Sequence, residues 1–232
     1  MSSNIVKPLD LDSVDWVLKT TRSVRQRLDF DQPVPLQLIH DALEIALQAP
    51  TGANTQTWRF MIVTEQRSRD LIADCYRKAA EAYVAGQTAL SRTGVTMMRE
   101  YEAEDLRQQQ RDALFRSGGY LMANLQRAPV MLIPLIEGRF ETEDVFTQAS
   151  MWGSILPATW SLMLALRARR LASAWTTLHL QYEREISDAL GIPHNYTQAA
   201  LLPVAWLKGG ELHPAKRLPL SEVAFHDKWG NW

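Results

Sequence analysis

Apolar residues recur along the chain in two periods, one helical and one strand-like. Between residues 36 and 48 they are spaced by three and four positions, which predicts an amphipathic helix that follows Pro33-Val34-Pro35 and ends near Pro50. A similar pattern at 67–85 predicts a second helix. Runs of apolar, aromatic and β-branched residues predict buried strands at 58–64, 130–136, 171–177 and 199–206.

Helices outnumber strands in this reading. Further helices are predicted up to Leu125 and from Tyr182 to Leu190, where Gly191-Ile192-Pro193 ends the pattern. Because helices and strands do not alternate strictly, an α+β fold is favoured over a doubly wound parallel sheet. With no internal repeat and no Gly/Ser-rich or Pro-rich linker, residues 1–232 are expected to form a single domain.

The 22 residues from Val145 to Leu166 carry no charge, which is long enough to raise the question of a membrane span. Polar residues interrupt the run, among them Gln148, Ser150 and Ser154, together with Pro157. A helix buried all round in protein is the preferred interpretation, and no membrane contact is expected.

The stretch from Gly86 to Arg116 is polar, with scattered large apolar residues such as Tyr101 and Phe115. Two interpretations fit this pattern. The segment is either a mobile lid, within residues 80–117, or a set of solvated surface helices anchored by a few apolar side chains.

Composition removes several classes of protein. The net charge is −1, from 25 basic and 26 acidic residues, so no overall field attracts nucleic acid. Cys75 is the single cysteine, which excludes an intramolecular disulfide, and its helical surroundings favour a buried apolar role over a nucleophile. No signal peptide is visible in residues 1–15, and a cytoplasmic location is expected. The five histidines are not at zinc-ligand spacing, and neither a G-x-G-x-x-G sequence nor a Walker A sequence is present.

Two segments carry candidate chemistry. The first, residues 21–27, holds Arg22, Ser23, Arg25 and Arg27, and guanidinium groups at this spacing can converge on one anion such as a phosphate. A solvated basic face is the alternative.

The second segment, residues 49–58, is a loop of small and amide residues between a helix and a strand. Gly52 allows close approach of a ligand to the backbone, and Asn54 and Gln56 offer donors and acceptors suited to a heteroaromatic ring edge. Taken alone, it is also an ordinary helix-to-strand turn.

Taken together and in order, these segments resemble the FMN-dependent nitroreductase superfamily. The resemblance begins with Arg-Ser-Val-Arg at 22–25 and continues through Ala-Pro-Thr-Gly at 49–52, Asn54, Gln56 and Trp-Arg-Phe at 58–60. The second half contributes Ala-Trp-Thr-Thr-Leu at 174–178, Leu-Gly-Ile-Pro at 190–193, Leu-Pro-Val-Ala at 202–205 and the basic sequence that starts at Lys216. One departure is that Arg169-Arg170 stand where the family usually has a glycine pair.

The resemblance implies an intertwined homodimer with a central, mainly antiparallel sheet flanked by helices, and two FMN sites at the subunit interface. It assigns Arg22, Ser23 and Arg25 to the phosphate and ribityl end of FMN, with added charge from Arg217 and Lys216. It assigns ten residues in all to cofactor binding: Arg22, Ser23, Arg25, Pro50, Thr51, Asn54, Trp175, Thr176, Thr177 and Arg217. Pro50, Thr51 and Asn54 would come from the partner subunit.

The implied activity is an oxidoreductase in which NADH or NADPH delivers hydride to FMN and leaves before a small aromatic acceptor, a nitroaromatic compound or a quinone, enters. No protein nucleophile or acid is required, so no catalytic residue and no metal is predicted. The same fold supports reductive dehalogenation and enoate reduction, and a flavin-binding protein without turnover is a further alternative.

Overall fold

The computed structural model describes residues 10–86 and 101–231. In this part of the chain, six strands form one sheet: β1 (Leu28–Asp29), β2 (Trp58–Val63), β3 (Val130–Glu137), β4 (Leu171–Ser173), β5 (Tyr196–Gln198) and β6 (Leu202–Leu207). The helices of the described residues are α1 (Leu11–Thr20), α2 (Leu36–Ala46), α3 (Gln66–Val84), α4 (Leu106–Gln109), α5 (Arg111–Asn124), α6 (Val145–Ala168) and α7 (Glu183–Leu190).

Strand β3 lies at the centre of the sheet, and its residues are buried from Val130 to Ile136. It pairs with β2 from Trp58↔Ile136 to Val63↔Met131, and its other edge is shared by β5 and β6. Strand β6 in turn pairs with β4 and β1. Every one of these pairings is antiparallel, which confirms the expected α+β fold with an antiparallel central sheet.

Helices cover both faces of the sheet, because successive side chains of a strand point to opposite sides. Met131 and Ile133 belong to one core with α3, α5 and α7, whereas Val130 and Leu132 belong to a second core with α2 and α6. Cys75 on α3 is fully buried in the first core, as its apolar surroundings in the sequence predict.

Two predicted strands are shorter than their apolar runs. In the 171–177 run, only β4 forms a ladder, and Thr176 adds a single bridge to Leu201. In the 199–206 run, the ladder begins at Leu202, while the preceding β5 is a separate strand. The helix expected from Tyr182 begins at Glu183, after a 3-10 turn over Leu178–Tyr182 in which His179 is fully buried.

Helix α6 contains the uncharged run, and it is not buried all round within the subunit. Val145 is 83% exposed and Phe146 is 80% exposed, whereas most side chains from Ser154 to Arg167 are buried or partly buried and Trp160 is exposed. Among the described residues, α6 is the one helix whose length and composition would allow it to cross a membrane, a test that core helices of soluble proteins also pass. The prediction of complete burial is therefore wrong for a single subunit.

The exit of α6 has the backbone that a glycine would favour, although an arginine occupies it. Arg170 lies in the left-handed region with φ 64°, directly after the helix and before β4. Arg169-Arg170 stand where the resemblance leads one to expect a glycine pair, yet the helix still ends with the left-handed backbone that glycine usually adopts there.

The possible lid at 80–117 is described only in part. Residues 80–84 belong to α3, residues 87–100 lie outside the described residues, and residues 101–117 form a turn, α4 and the first half of α5. On α5, Leu114 is 54% exposed and Phe115 is 40% exposed.

Candidate functional site

The structure brings the 22–25 segment against the 173–176 segment, although about 150 residues separate them in the sequence. The amide of Val24 donates to the carbonyl of Ser173 at 2.8 Å, and the amide of Trp175 donates to the Ser23 Oγ at 2.9 Å. Helix α1 ends just before, because the chain turns extended at Thr21. Two stretches that were predicted separately as cofactor-binding therefore form one locus.

Arg22 and Arg25 each donate one hydrogen bond to another part of the described chain. The Arg25 Nη1 donates to the Ser117 Oγ on α5 at 3.5 Å, and the Arg22 Nη1 donates to the carbonyl of His213 at 2.6 Å. A guanidinium has five N–H donors, so both side chains keep donors for an anion. Both are half-buried rather than fully solvated.

Arg27 has a different role from its two neighbours. Its guanidinium donates to the carbonyls of Lys208 at 2.8 Å and Glu211 at 3.2 Å, and also to that of Gly210. Arg27 therefore donates to three carbonyls of one turn. These bonds hold the turn after β6 against the end of the 21–27 segment. Of the three arginines that could converge on one anion, Arg27 therefore has donors occupied within the subunit, and the resemblance does not assign it to the cofactor.

The side chains of the 175–177 segment, which lies against the 22–25 segment, differ in their exposure to solvent. Trp175 and Thr176 are half-buried and Thr177 is exposed. The backbone of Thr176 exchanges two hydrogen bonds with Leu201, of 3.1 and 2.9 Å, which fixes the position of its side chain.

The Thr176 Oγ1 donates to the hydroxyl of Tyr76 on α3 at 3.3 Å. Sequence reasoning missed Tyr76, which is 4% exposed and lies at helical spacing with the buried residues Ile72, Ala73 and Ala80. The signal for it was a tyrosine on the apolar face of a helix, because a buried phenol hydroxyl usually has a hydrogen-bond partner.

The loop that contains Pro50, Thr51 and Asn54 is pinned to α6, since the amide of Gly52 donates to the Ser154 Oγ at 2.9 Å. The Thr51 Oγ1 accepts from the amide of Gln56 at 3.2 Å, and the Asn54 Oδ1 accepts from the Gln56 Nε2 at 3.2 Å. Among the described residues, no hydrogen bond connects this loop to the 22–25 or 175–177 segments.

The same loop is strained. Three residues other than glycine have a left-handed backbone, with φ of 48° at Ala53, 55° at Asn54 and 51° at Gln56. Such conformations persist only where surrounding contacts impose them, and they concentrate at functional sites. Gly52 is not among them, and a methyl group there would meet the Ser154 Oγ at an ordinary 3.5 Å. Nothing within the subunit therefore requires a glycine at position 52.

Lys216 and Arg217 are exposed. The carbonyl of Lys216 accepts from the Gln110 Nε2 at 3.4 Å and from the Arg217 Nη1 at 3.3 Å. Because Arg25 contacts Ser117 and Lys216 contacts Gln110, both basic segments touch the α4–α5 region, at points about 10 Å apart along a helix. In residues 10–86 and 101–231, no three His, Cys, Asp or Glu side chains are grouped to hold a metal ion.

The profile of the Nitroreductase family matches residues 18–206. Two curated relatives are a chloronitrobenzene nitroreductase from Comamonas testosteroni, 38% identical over 71 residues, and a 5,6-dimethylbenzimidazole synthase from Rhodospirillum rubrum, 26% identical over 212 residues. The first match spans 29% of this chain and 30% of the relative, and the second spans 89% and 87%.

Solved structures share the fold. An oxidised iodotyrosine deiodinase bound to FMN and 3-iodo-L-tyrosine superposes with a TM-score of 0.63 at 21% identity, covering 93% of this chain and 98% of that one. The FMN-dependent nitroreductase NfnB from Mycobacterium smegmatis, in complex with NADPH, also gives a TM-score of 0.63 at 21% identity, with coverage of 94% and 99%.

Proposed function

Because the chain belongs to the nitroreductase family, we propose that it is an FMN-dependent oxidoreductase that uses NADH or NADPH to reduce a small aromatic acceptor, a nitroaromatic compound or a quinone, by a ping-pong mechanism. The observation that carries the proposal is the junction of the 22–25 and 173–176 segments through Ser23 and Trp175. This junction brings the segment that carries Arg22 and Arg25 next to the segment that carries Thr176 and Thr177.

The residues of the junction fit FMN by their chemistry. A phosphate monoester needs N–H and O–H donors and positive charge, which Arg22 and Arg25 supply. The Ser23 Oγ accepts from Trp175, so its own proton is free to donate to a ligand oxygen. Thr176 and Thr177 directly follow Trp175 in the chain, and two hydroxyl groups next to an indole in one segment suit a flat ring with polar edges. Arg217 would add charge from the C-terminal segment.

Bound FMN would supply two-electron redox chemistry between the nicotinamide and the acceptor. The work of the protein is then to hold the phosphate with Arg22 and Arg25, to fix the ring with the 175–177 segment, and to exclude water. No side chain needs to act as nucleophile or general acid in this proposal.

We further propose that the active form is a homodimer in which Pro50, Thr51 and Asn54 complete the cofactor site of the partner subunit. The strained loop and the exposed apolar residues Val145 and Phe146 at the start of α6 support this arrangement. Large apolar side chains on a surface commonly mark a contact with another protein. The protein is expected to be cytoplasmic and to bind neither nucleic acid nor membranes.

The proposal is tested by anaerobic absorbance spectra of the FMN-reconstituted protein, before and after NADPH and, separately, NADH. Bleaching of a protein-bound flavin band is the expected result. A bound band that neither nucleotide bleaches would favour a flavin-binding protein without turnover, and a protein that retains no flavin after gel filtration would refute the proposal.

The phosphate assignment has its own test, the variant Arg22→Gln/Arg217→Gln. Because a hydrogen bond to a charged group contributes about 1.5–3 kcal/mol, the double substitution is expected to weaken FMN binding by about two orders of magnitude or more. A matched control, Arg67→Gln/Arg184→Gln, removes two exposed charges elsewhere on the surface. Stoichiometric FMN in the first variant, or equal losses in both, would contradict the assignment.

Reductive dehalogenation is the second candidate. The deiodinase superposition covers 93% of this chain, as the NfnB superposition covers 94%, whereas the match to the chloronitrobenzene nitroreductase spans 71 residues. If residues 80–117 form a lid, Phe115 and Tyr101 turned toward the site would favour a nitroaromatic acceptor, whereas a polar lid would favour a zwitterion and dehalogenation. A screen of nitroaromatics, quinones and halophenols as oxidants of the reduced enzyme separates the candidates, and enoates test the remaining alternative.

A further inference from the structure

A pair of hydroxyl groups lies at the junction, one from α3 and one from the 175–177 segment. The Thr176 Oγ1 and the Tyr76 hydroxyl oxygen are 3.3 Å apart, with Thr176 as the donor. Tyr76 is 4% exposed, and its ring packs in the core on the buried face of α3. The hydroxyl is therefore shielded from bulk water. The resemblance assigned Thr176 to the cofactor but gave no role to Tyr76.

The pair has more donors than it uses. Two hydroxyl groups carry two O–H donors, and the bond between them consumes one. With Thr176 as donor, the proton of Tyr76 is the one left over, and no hydrogen bond from it to a described residue is found. A hydroxyl group can donate one hydrogen bond while it accepts another, so Tyr76 has the capacity to donate to an acceptor from outside the described residues.

The contact with Thr176 places the hydroxyl of Tyr76 at the 175–177 segment. The positive charge of Arg25 also acts on this hydroxyl. Burial raises the pKa of Tyr76, while the bond from Thr176 and the charge of Arg25 oppose that rise. The phenol therefore keeps its proton at neutral pH and can donate it.

We propose that Tyr76 is a cofactor-binding residue, whose hydroxyl accepts from Thr176 and donates to an oxygen or nitrogen of bound FMN. This inference rests on the proposed function. It makes α3 a third element of the site, beside the 22–25 and 175–177 segments, and it gives Thr176 the task of orienting the phenol. An acceptor on the ring, on the ribityl chain or on the phosphate would satisfy the donor equally.

The test compares Tyr76→Phe with Tyr182→Phe, each of which removes one tyrosine hydroxyl and leaves the ring. Tyr182 suits as a control because its ring packs beside the same core and lies under Lys78 of α3, with 5.7 Å from the Nζ to the ring centroid. FMN and riboflavin are titrated into each apoprotein and followed by flavin fluorescence. The absorbance spectrum of the bound flavin and the thermal unfolding of the apoprotein are recorded in parallel.

We expect Tyr76→Phe to weaken FMN binding about three- to tenfold, the usual effect of losing one neutral hydrogen bond, and to shift the flavin absorbance. Tyr182→Phe is expected to match the wild type in both. An equal loss for riboflavin would assign the acceptor to the ring or ribityl chain, and a loss confined to FMN would assign it to the phosphate.

A third variant, Thr176→Val, removes the bond that orients the phenol together with a hydroxyl group that the resemblance assigns to the cofactor. It is expected to weaken FMN binding while leaving the O–H of Tyr76 in place. An unchanged dissociation constant and spectrum in Tyr76→Phe would overturn the assignment of the donor to Tyr76, even if that apoprotein were less stable, since the role of Tyr76 would then be structural. A wild-type protein that binds no flavin would overturn this inference and the proposed function together.

Discussion

Acidification from pH 7 to pH 5 is expected to lower the free energy of unfolding through one fully buried side chain, His179. It has 0% exposure in the 3-10 turn after the 175–177 segment. Neither ring nitrogen has a hydrogen-bond partner within the described residues, and the same holds for the Gln198 Oε1. Burial lowers the pKa of His179 from its ordinary value of 6.5 to about 3, and a weak interaction with Gln198 opposes that shift only in part.

The sign and the size of the effect follow from proton linkage. Below pH 6.5 the unfolded chain binds a proton at this histidine while the folded protein does not, so stability is complete above pH 6.5 and declines as the pH falls toward 3. At pH 5 the loss relative to pH 7 amounts to about 2 kcal/mol. The window from pH 7 to pH 5 also avoids the titration of carboxylates such as Asp105, whose pKa a hydrogen bond from Arg107 lowers to about 2.

The assay is urea unfolding at pH 7 and pH 5, at one fixed protein concentration because association would contribute to stability. His179→Leu removes the titrating ring, and its free energy of unfolding is expected to fall by about 2 kcal/mol less than that of the wild type between the two pH values. His40→Leu, at an exposed position on α2, is the control and is expected to keep the wild-type dependence. Should His179→Leu fail to fold, His179→Gln serves the same comparison. Equal pH dependence in the wild type and the His179 variant would refute the reasoning.

Two further substitutions test what holds the fold together. Arg170→Gly is expected to raise stability by about 1 kcal/mol, because a left-handed backbone costs an L-residue about that much, whereas Arg169→Gly, where φ is −95°, is expected to lower it in the same thermal unfolding series. Arg27→Met is expected to lower stability by about 1–3 kcal/mol, since carbonyls of the turn after β6 lose their donor, without changing the FMN dissociation constant. A loss of FMN affinity in Arg27→Met would return this arginine to the cofactor site.

The apolar pattern predicted which segments form helices and strands, because each buries a face within its own length. The central strand and the helix at 36–48 were located within two residues of their observed ends. The end of β4 and the start of β6 were misplaced by more than that, because the bridge at Thr176 and the break before Leu202 depend on which strand lies alongside. That choice is made by tertiary contacts, which the local pattern does not encode.

The roles of individual polar residues were predicted less well, for a similar reason. Arg25 and Arg27 look alike in the sequence, yet the carbonyls that occupy Arg27 come from a turn about 180 residues away. The hydroxyl of Tyr76 became visible only once α3 lay beside Thr176. The uncharged run was correctly predicted as a helix. Its apolar pattern did not indicate that Val145 and Phe146 at its start would be exposed in the subunit.

The two halves of the candidate site differ in what holds them. The 22–25 and 175–177 segments are fixed to each other within one subunit, by bonds from Val24 and Trp175. The 50–56 loop has no hydrogen bond to either segment among the described residues, and the bond from Gly52 to Ser154 attaches it, in its strained conformation, to α6. If the proposed dimer brings the halves together, each arrives in its final shape, and little ordering entropy opposes cofactor binding. A variant that stays monomeric is then expected to keep its fold and its Ser23–Trp175 junction while losing affinity for FMN. That result would show that each half of the site folds within one subunit and that FMN binding needs both subunits.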